Sequence, residues 1–278
     1  MTVPQSSLPD LQAIAGEIDL SSHDPTAVQA LYAASQGDPV RFQRYLKRYS
    51  WGDPVPYITE SIQFRDRTFK LDRRAYITDP ELTYLVDAVL QEIDTFTARE
   101  GRSPLVAEFG VGCGSLSISI KLERPQVTLV GVEIDRSAIA LARENAAQFG
   151  VNIPIIESDF FTSWSQFDAP DIIYGDPPWG ETTDLYDDVR SADYYHAMPV
   201  MSAYPVGGKA IVHEGLLRHV QSKGWSSVLL LNCGVLPTAT LDELETVTQT
   251  ASRLHPKPEL TILRCLVNEL TVIDRYDV

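Results

Sequence analysis

The chain has 278 residues, room for one α/β unit of about 200 residues and a small additional one. With 44% hydrophobic and 22% charged residues, its composition excludes wholesale disorder and fibrous repeats, and no apolar run approaches the roughly 18–20 residues that span a bilayer. The formal net charge of −15 repels nucleic acid at long range, so such a partner would need a local basic patch.

The start, MTVPQSSLPDLQAIAG, has no basic region and no long apolar stretch, and does not read as a signal peptide. Cys113, Cys233 and Cys265 are far apart and odd in number, which gives neither a disulfide framework nor a zinc spacing and points to a reducing, cytoplasmic setting. Asp24-Pro25 and Asp38-Pro39 each place an N-cap before an N1 proline, and Gly37 punctuates the helix between them. Val28, Leu31 and Tyr32, then Phe42, Tyr45, Leu46 and Tyr49, supply the apolar faces. The prolines at 54 and 56 are expected to end this helical unit, giving a helical N-terminal domain over 1–52. Ile62-Gln63-Phe64 and Thr68-Phe69-Lys70-Leu71 alternate around Arg65-Asp66-Arg67, a hairpin signal inside a linker over 53–78. Nine basic residues stand against four acidic ones between Arg41 and Arg74, which reads either as a solvated surface or as a positive patch beside a cleft.

Residues 79–278 form the third region. Asp79-Pro80 opens a helix with Leu82, Leu85, Val86, Val89 and Ile93 on one side. Strands are expected at Leu105–Phe109, Gln126–Val132, Asn152–Ile156, Asp171–Tyr174 and Ser227–Leu231, with helical spacing at Ile139, Ala142, Ala146 and Phe149. Leu241–Leu254 is expected as helix, and Glu259–Val267 with Leu270–Ile273 as an antiparallel C-terminal hairpin. The alternation implies an α/β fold with a mostly parallel sheet.

Three segments carry chemistry. Glu108-Phe109-Gly110-Val111-Gly112-Cys113-Gly114 follows the first strand of the sheet, and its glycines let a ligand approach the backbone closely. Glu133 ends the next strand about twenty residues on, where an acid can take both hydroxyls of a ribose. The Glu108 carboxylate would repel a pyrophosphate and suits a ligand with a positive group, which favours S-adenosylmethionine over a dinucleotide. Asp159 is a candidate acceptor for an adenine amino group, with Phe160 or its neighbour against the ring. Asp176-Pro177-Pro178-Trp179 follows the strand at 171–174, and its prolines fix the backbone. Asp176 and the Pro177 carbonyl can accept both N–H bonds of a substrate nitrogen and aim its lone pair at a methyl group, while Trp179 can stack on a planar group or cover a cation. Tyr186, Tyr194, Tyr195 and His196 are candidates for the acceptor wall. His213-Glu214 has no partner histidine at i+4, so no metal is assigned.

With these residues in view, the chain resembles the class I S-adenosylmethionine-dependent methyltransferases and, among them, the release-factor glutamine N5-methyltransferase family. The resemblance covers roughly residues 40–275: the glycine segment 108–114, Glu133 with Ala142-Arg143-Glu144-Asn145-Ala146, Asp159, and the linker residues Pro56-Tyr57-Ile58 and Phe64. It implies a Rossmann-like sheet behind a small helical domain, S-adenosylmethionine as cofactor, and a cytoplasmic enzyme. The family's Asn-Pro-Pro-Tyr is Asp176-Pro177-Pro178-Trp179 here, and its Thr-Glu pair falls at Leu82-Thr83. A carboxylate only accepts hydrogen bonds, so it suits an amine, an amidine or an exocyclic nucleobase amino group, and it favours the positive charge that grows on nitrogen. The leading expectation is N-methylation of an amino group on a small molecule or peptide, with no membrane. Alternatives are glutamine methylation of a release factor or other protein, methylation of a nucleobase (opposed by the net charge), and consumption of S-adenosylmethionine by cyclisation or alkyl transfer.

Overall fold

The computed structural model describes residues 11–178, 194, 196–204, 206–207, 210–234, 236–246, 252–257 and 260–266. Helices α1 (Pro25–Ser35) and α2 (Pro39–Ser50) begin at the expected caps. Asp24 accepts from the backbone N–H groups of Thr26 and Ala27, and Asp38 from those of Val40 and Arg41; each such cap is worth about 1 kcal/mol. Val28, Leu31, Phe42 and Leu46 form a separate apolar cluster with Ile58. The prolines at 54 and 56 do not end the helical unit. Pro54 instead caps a further short helix, α3 (Val55–Thr59), which puts Ile58 into this cluster and Tyr57 into the larger core beyond.

The hairpin has β1 (Ser61–Phe64) paired with β2 (Arg67–Lys70) across the two-residue turn Arg65-Asp66, both residues at positive φ. Arg65 is anchored on Glu123 and Asp87, at 2.6 and 2.7 Å. Arg67 pairs with Glu123, Arg48 and Arg73 with Asp53, Arg74 with Asp72 and Glu144, Lys70 with Glu144, and Arg41 with Asp38. Seven of the nine basic residues are thus laced to acids, while Arg44 and Lys47 lie over the rings of Tyr45 and Trp51.

A single 3-10 turn capped by Asp79 leads into α4 (Thr83–Glu100), whose buried face includes Leu85, Val86, Val89 and Ile93. The main sheet has seven strands in the order β5-β4-β3-β6-β7-β9-β8. Strands β3 (Leu105–Phe109), β4 (Thr128–Glu133), β5 (Ile155–Glu157), β6 (Ile172–Gly175) and β7 (Val228–Gly234) are parallel, and β8 (Ser252–Lys257) and β9 (Leu260–Leu266) join antiparallel. Helices α5 (Ser115–Glu123) and α6 (Arg136–Phe149) supply apolar residues to the core of α4, while α8 (Ile211–Ser222) and α9 (Thr238–Thr246) supply residues to the core on the other face; α7 is the short turn Val200–Ala203. Side-chain alternation places Val106, Ile172, Tyr174 and Leu230 on the α4 face, and Ala107, Ile173, Leu229 and Leu231 on the other.

The C-terminal expectation needs correcting. The helix after β7 is described over Thr238–Thr246, and Leu254 lies in β8, paired with Ile262. The antiparallel hairpin is therefore made by β9 with the strand before it; Leu270–Ile273 lies outside the described residues. Among the described residues no helix is long and apolar enough to cross a membrane.

Candidate functional site

The chain builds outward from β3 to β4 to β5, then returns to β6 on the other side of β3. In such sheets the crevice for a ligand opens at the carboxyl ends of the strands where this reversal occurs. Phe109 and Gly175 are register partners across it, so the glycine loop and the Asp176-Pro177-Pro178 segment leave the sheet side by side. A Cβ on Gly175 would stand 2.6 Å from the Phe109 carbonyl oxygen, so glycine is what allows this approach.

The loop is pinned from several sides. The Gly110 N–H donates to the Val132 carbonyl at 2.9 Å, and Glu133 Oε2 accepts from the Gly112 N–H at 2.9 Å. The other oxygen of Glu133 accepts from the N–H groups of Ile134 and Asp135 at 2.8 and 3.0 Å. Glu133, at the carboxyl end of β4, therefore joins the loop to the next turn. Gly114, at φ +84°, caps α5 in a conformation that L side chains rarely adopt. Sequence reasoning missed Asn145 as a fastener: from α6 its Nδ2 donates to the Cys113 carbonyl at 2.8 Å and to the Lys70 carbonyl at 3.0 Å, while its Oδ1 accepts from the Lys70 N–H at 2.8 Å. Cys113 is buried beneath the loop with a free thiol.

Glu108 lies under the loop, 1% exposed, on the α4 face beside Tyr174, its partner across the strands, and Ser117. Burial pushes its carboxyl up to about 8. Although both neighbours lie close, neither Glu108 Oε2 nor the Tyr174 hydroxyl makes a hydrogen bond of good geometry. The acid expected beside the loop thus lies beneath it, with its carboxyl covered.

Asp159 is exposed after β5. Phe160, at φ 46°, turns its ring beside Phe109 (5.6 Å, 14°) and His219 of α8 (5.7 Å, 17°). That near-parallel stack anchors the loop to α8, so Phe160 serves as a wall packed from behind. Asp176 is half-buried, and its Oδ1 accepts from Asn232 Nδ2 at 2.7 Å. Asn232 was not singled out from sequence; the available signal is a lone amide ending the apolar run Val228–Leu231. His213 is fully buried and donates from Nε2 to the Asn232 carbonyl at 2.9 Å, and burial pushes its imidazole down to about 4.

Of the acceptor wall, Tyr194 is half-buried against the main core and His196 is exposed. Tyr57 donates to the Ala75 carbonyl at 2.7 Å and lies 3.3 Å from Met198 Sδ, and Arg73 donates to the Ala197 carbonyl at 3.1 Å. The linker thus braces the segment after the proline turn. Trp179, Tyr186 and Tyr195 lie outside the described residues. Among the described residues no cluster of three metal-ligating side chains occurs.

The donor set fits S-adenosylmethionine. A Cβ added at Gly110 or Gly112 meets nothing within 4 Å, so the loop backbone is bare toward a ligand. Buried beneath it is a carboxyl oxygen without a partner among the described residues, and a ligand with a positive group favours the ionised form of that carboxyl where a phosphate opposes it.

Comparison with known proteins agrees. Residues 88–195 match the family model of the methyltransferase small domain. A release factor glutamine methyltransferase of Neisseria gonorrhoeae is 32% identical over 151 residues, 52% of this chain and 51% of that protein. That of Nitratidesulfovibrio vulgaris is 24% identical over 216 residues, 76% and 70% of the two chains. The chain spans about half the length of most of the curated relatives it matches. Among solved structures, the T. thermophilus 16S rRNA N2 G1207 methyltransferase RsmC, in complex with AdoMet and guanosine, superposes with a TM-score of 0.51 at 18% identity, covering 74% of this chain and 49% of that one. The hMettl16 catalytic domain, in complex with a MAT2A 3′UTR hairpin, gives 0.53 at 12% identity, covering 74% and 77%. The chain therefore has the class I S-adenosylmethionine-dependent methyltransferase fold, and in sequence it resembles the release factor glutamine methyltransferases.

Proposed function

We propose that the protein is an S-adenosylmethionine-dependent N-methyltransferase whose acceptor nitrogen, on a peptide or a small molecule, is held by Asp176 and the Pro177 carbonyl. The observation that carries this reading is the pairing of Phe109 with Gly175, which sets the cofactor loop and the carboxylate next to each other at the switch point. When bound, S-adenosylmethionine supplies a methyl group on a positively charged sulfur; as the N–C bond forms and the C–S bond breaks, that charge passes to nitrogen, which then sheds a proton. Gly110, Gly112 and Gly114 give the cofactor a bare backbone, Glu133 takes the ribose hydroxyls, and Asp159 with Phe160 bounds the adenine. Glu108 lies beneath the loop toward the methionine end, where a bound cation would favour release of the proton that burial holds on its carboxyl. Asp176 orients the nitrogen and offsets its growing charge, with Trp179, Tyr186, Tyr194, Tyr195 and His196 around it. The chain's own contribution is positioning and electrostatics.

Asp176→Ala is expected to cut turnover by about 100-fold or more while cofactor binding, measured by calorimetry, stays within a few-fold of wild type. Full turnover in that variant rejects the role.

A second reading, methylation of a glutamine side chain in a protein, is favoured by the names of the relatives, which are release factor glutamine methyltransferases. Incubation with release factor and methyl-labelled S-adenosylmethionine decides between the two. Mass spectrometry of the cofactor product tests methyl transfer itself: S-adenosylhomocysteine supports it, and methylthioadenosine points to cyclisation.

A further inference from the structure

Strand register and hydrogen-bond direction around Asp176 favour one of its two protonation states. Tyr174 of β6 is opposite Leu230 of β7, so two residues on, Asp176 faces Asn232 on the same side of the sheet. An amide can be turned either way, but here the choice is fixed. The Gly234 N–H can only donate, and it donates to Asn232 Oδ1 at 3.0 Å. The Asn232 NH₂ group therefore points at Asp176 Oδ1, 2.7 Å away; that oxygen accepts, and a donor aimed at a carboxyl favours its ionised form. Asn232 itself is 5% exposed and cannot swing out. Its backbone is held as well, because β7 and β9 shift register between Asn232 and Gly234, and there His213 donates to the Asn232 carbonyl.

We infer that Asn232 is the positioning residue that favours Asp176 as a charged acceptor, and that the site so built prefers a nitrogen that binds as a cation, a primary amine or an amidine that hands one N–H proton to Asp176 before its freed lone pair attacks, over a neutral carboxamide. This rests on the reading of Asp176 as the acceptor-holding residue. A carboxamide presents both a donor and an acceptor, and an ionised carboxylate clamped by an amide answers only the donor. A cation answers it fully, and a charge-assisted hydrogen bond is stronger than a neutral one. Two titratable groups bear directly on the pair: Cys233, next to Asn232 in β7, and His213, bonded to the Asn232 carbonyl. Burial pushes the Cys233 thiol up to about 12 and the His213 imidazole down to about 4, so neither changes charge around neutrality.

Sinefungin carries an amine where S-adenosylmethionine carries its transferable methyl, and S-adenosylhomocysteine carries nothing there. Calorimetry with both, on the full chain, therefore reads the clamp without knowledge of the acceptor. Wild type is expected to favour sinefungin by about tenfold or more, flat from pH 6 to 8. In N232L most of that preference is expected to vanish while S-adenosylhomocysteine binds as before. N232D keeps an acceptor for the Gly234 N–H but sets two carboxylates face to face, which then share a proton; its preference should rise with pH across the same range. Should N232L lose S-adenosylhomocysteine binding through misfolding, N232D alone decides. A wild-type-like, pH-independent preference in N232D overturns the inference. No preference in wild type overturns the role of Asp176 itself, which separates the two failures.

Discussion

Glu108 keeps its carboxyl under the glycine loop, where burial holds it protonated to about pH 8 against an ordinary value of 4.5. Between those values the folded chain keeps a proton that the unfolded chain sheds. Raising the pH through this window therefore destabilises the fold, by at most about 1.4 kcal/mol per pH unit. Glu108→Gln has no such proton to lose. Urea unfolding at pH 5 and pH 8 should show the variant gaining on wild type as pH rises, and a constant gap rejects the assignment. At this scale the sequence was legible where function lies in contiguous residues. The glycine loop, Glu133 and Asp176 could be picked out because each follows a readable strand. Asn232 and His213 could not, because their contacts join residues 56 and 19 positions apart, and a single amide after an apolar run has no spacing to betray it.

Asn145 shows how elements are tied to one another. One side chain on α6 satisfies both backbone groups of Lys70 in β2 and the carbonyl of Cys113 in the loop. Asn145→Ala leaves three backbone groups short of partners and should cost about 2–4 kcal/mol, read by denaturant unfolding, with weaker S-adenosylhomocysteine binding alongside; an unchanged unfolding midpoint contradicts this. Strands β3, β4, β6 and β7 were readable from their short apolar runs, as was the Asp79-capped start leading into α4. The C-terminal pairing was not. Leu241, Leu244 and Leu254 fit one helical face by spacing, and only the pairing of Leu254 with Ile262 shows where helix gives way to strand. Likewise, the prolines at 54 and 56 resembled a terminator because proline both breaks helices and begins them.

Across the whole molecule, charge is organised to cancel locally and sum to −15. Arg41, Arg48, Arg65, Arg67, Lys70, Arg73 and Arg74 all lie within ion-pair distance of an acid. Exposed pairs of this sort add little stability each, but they remove the patch on which a phosphate backbone would land. No salt-dependent binding of single-stranded RNA or DNA is expected at about 0.15 M salt; a steep salt slope with tight binding would restore the nucleobase reading. Arg264, on β9, pairs with the buried Glu92 of α4 at 2.9 Å, joining the antiparallel end of the sheet to the helix over its parallel part.

The contacts of Tyr57 and Arg73 with Met198 and Ala197 make the amino-terminal third a structural participant in whatever docks beyond the proline turn. The same linker cannot be trimmed away without harm to the rest, because Tyr57, Phe64, Phe69 and Leu71 belong to the core that carries the glycine loop.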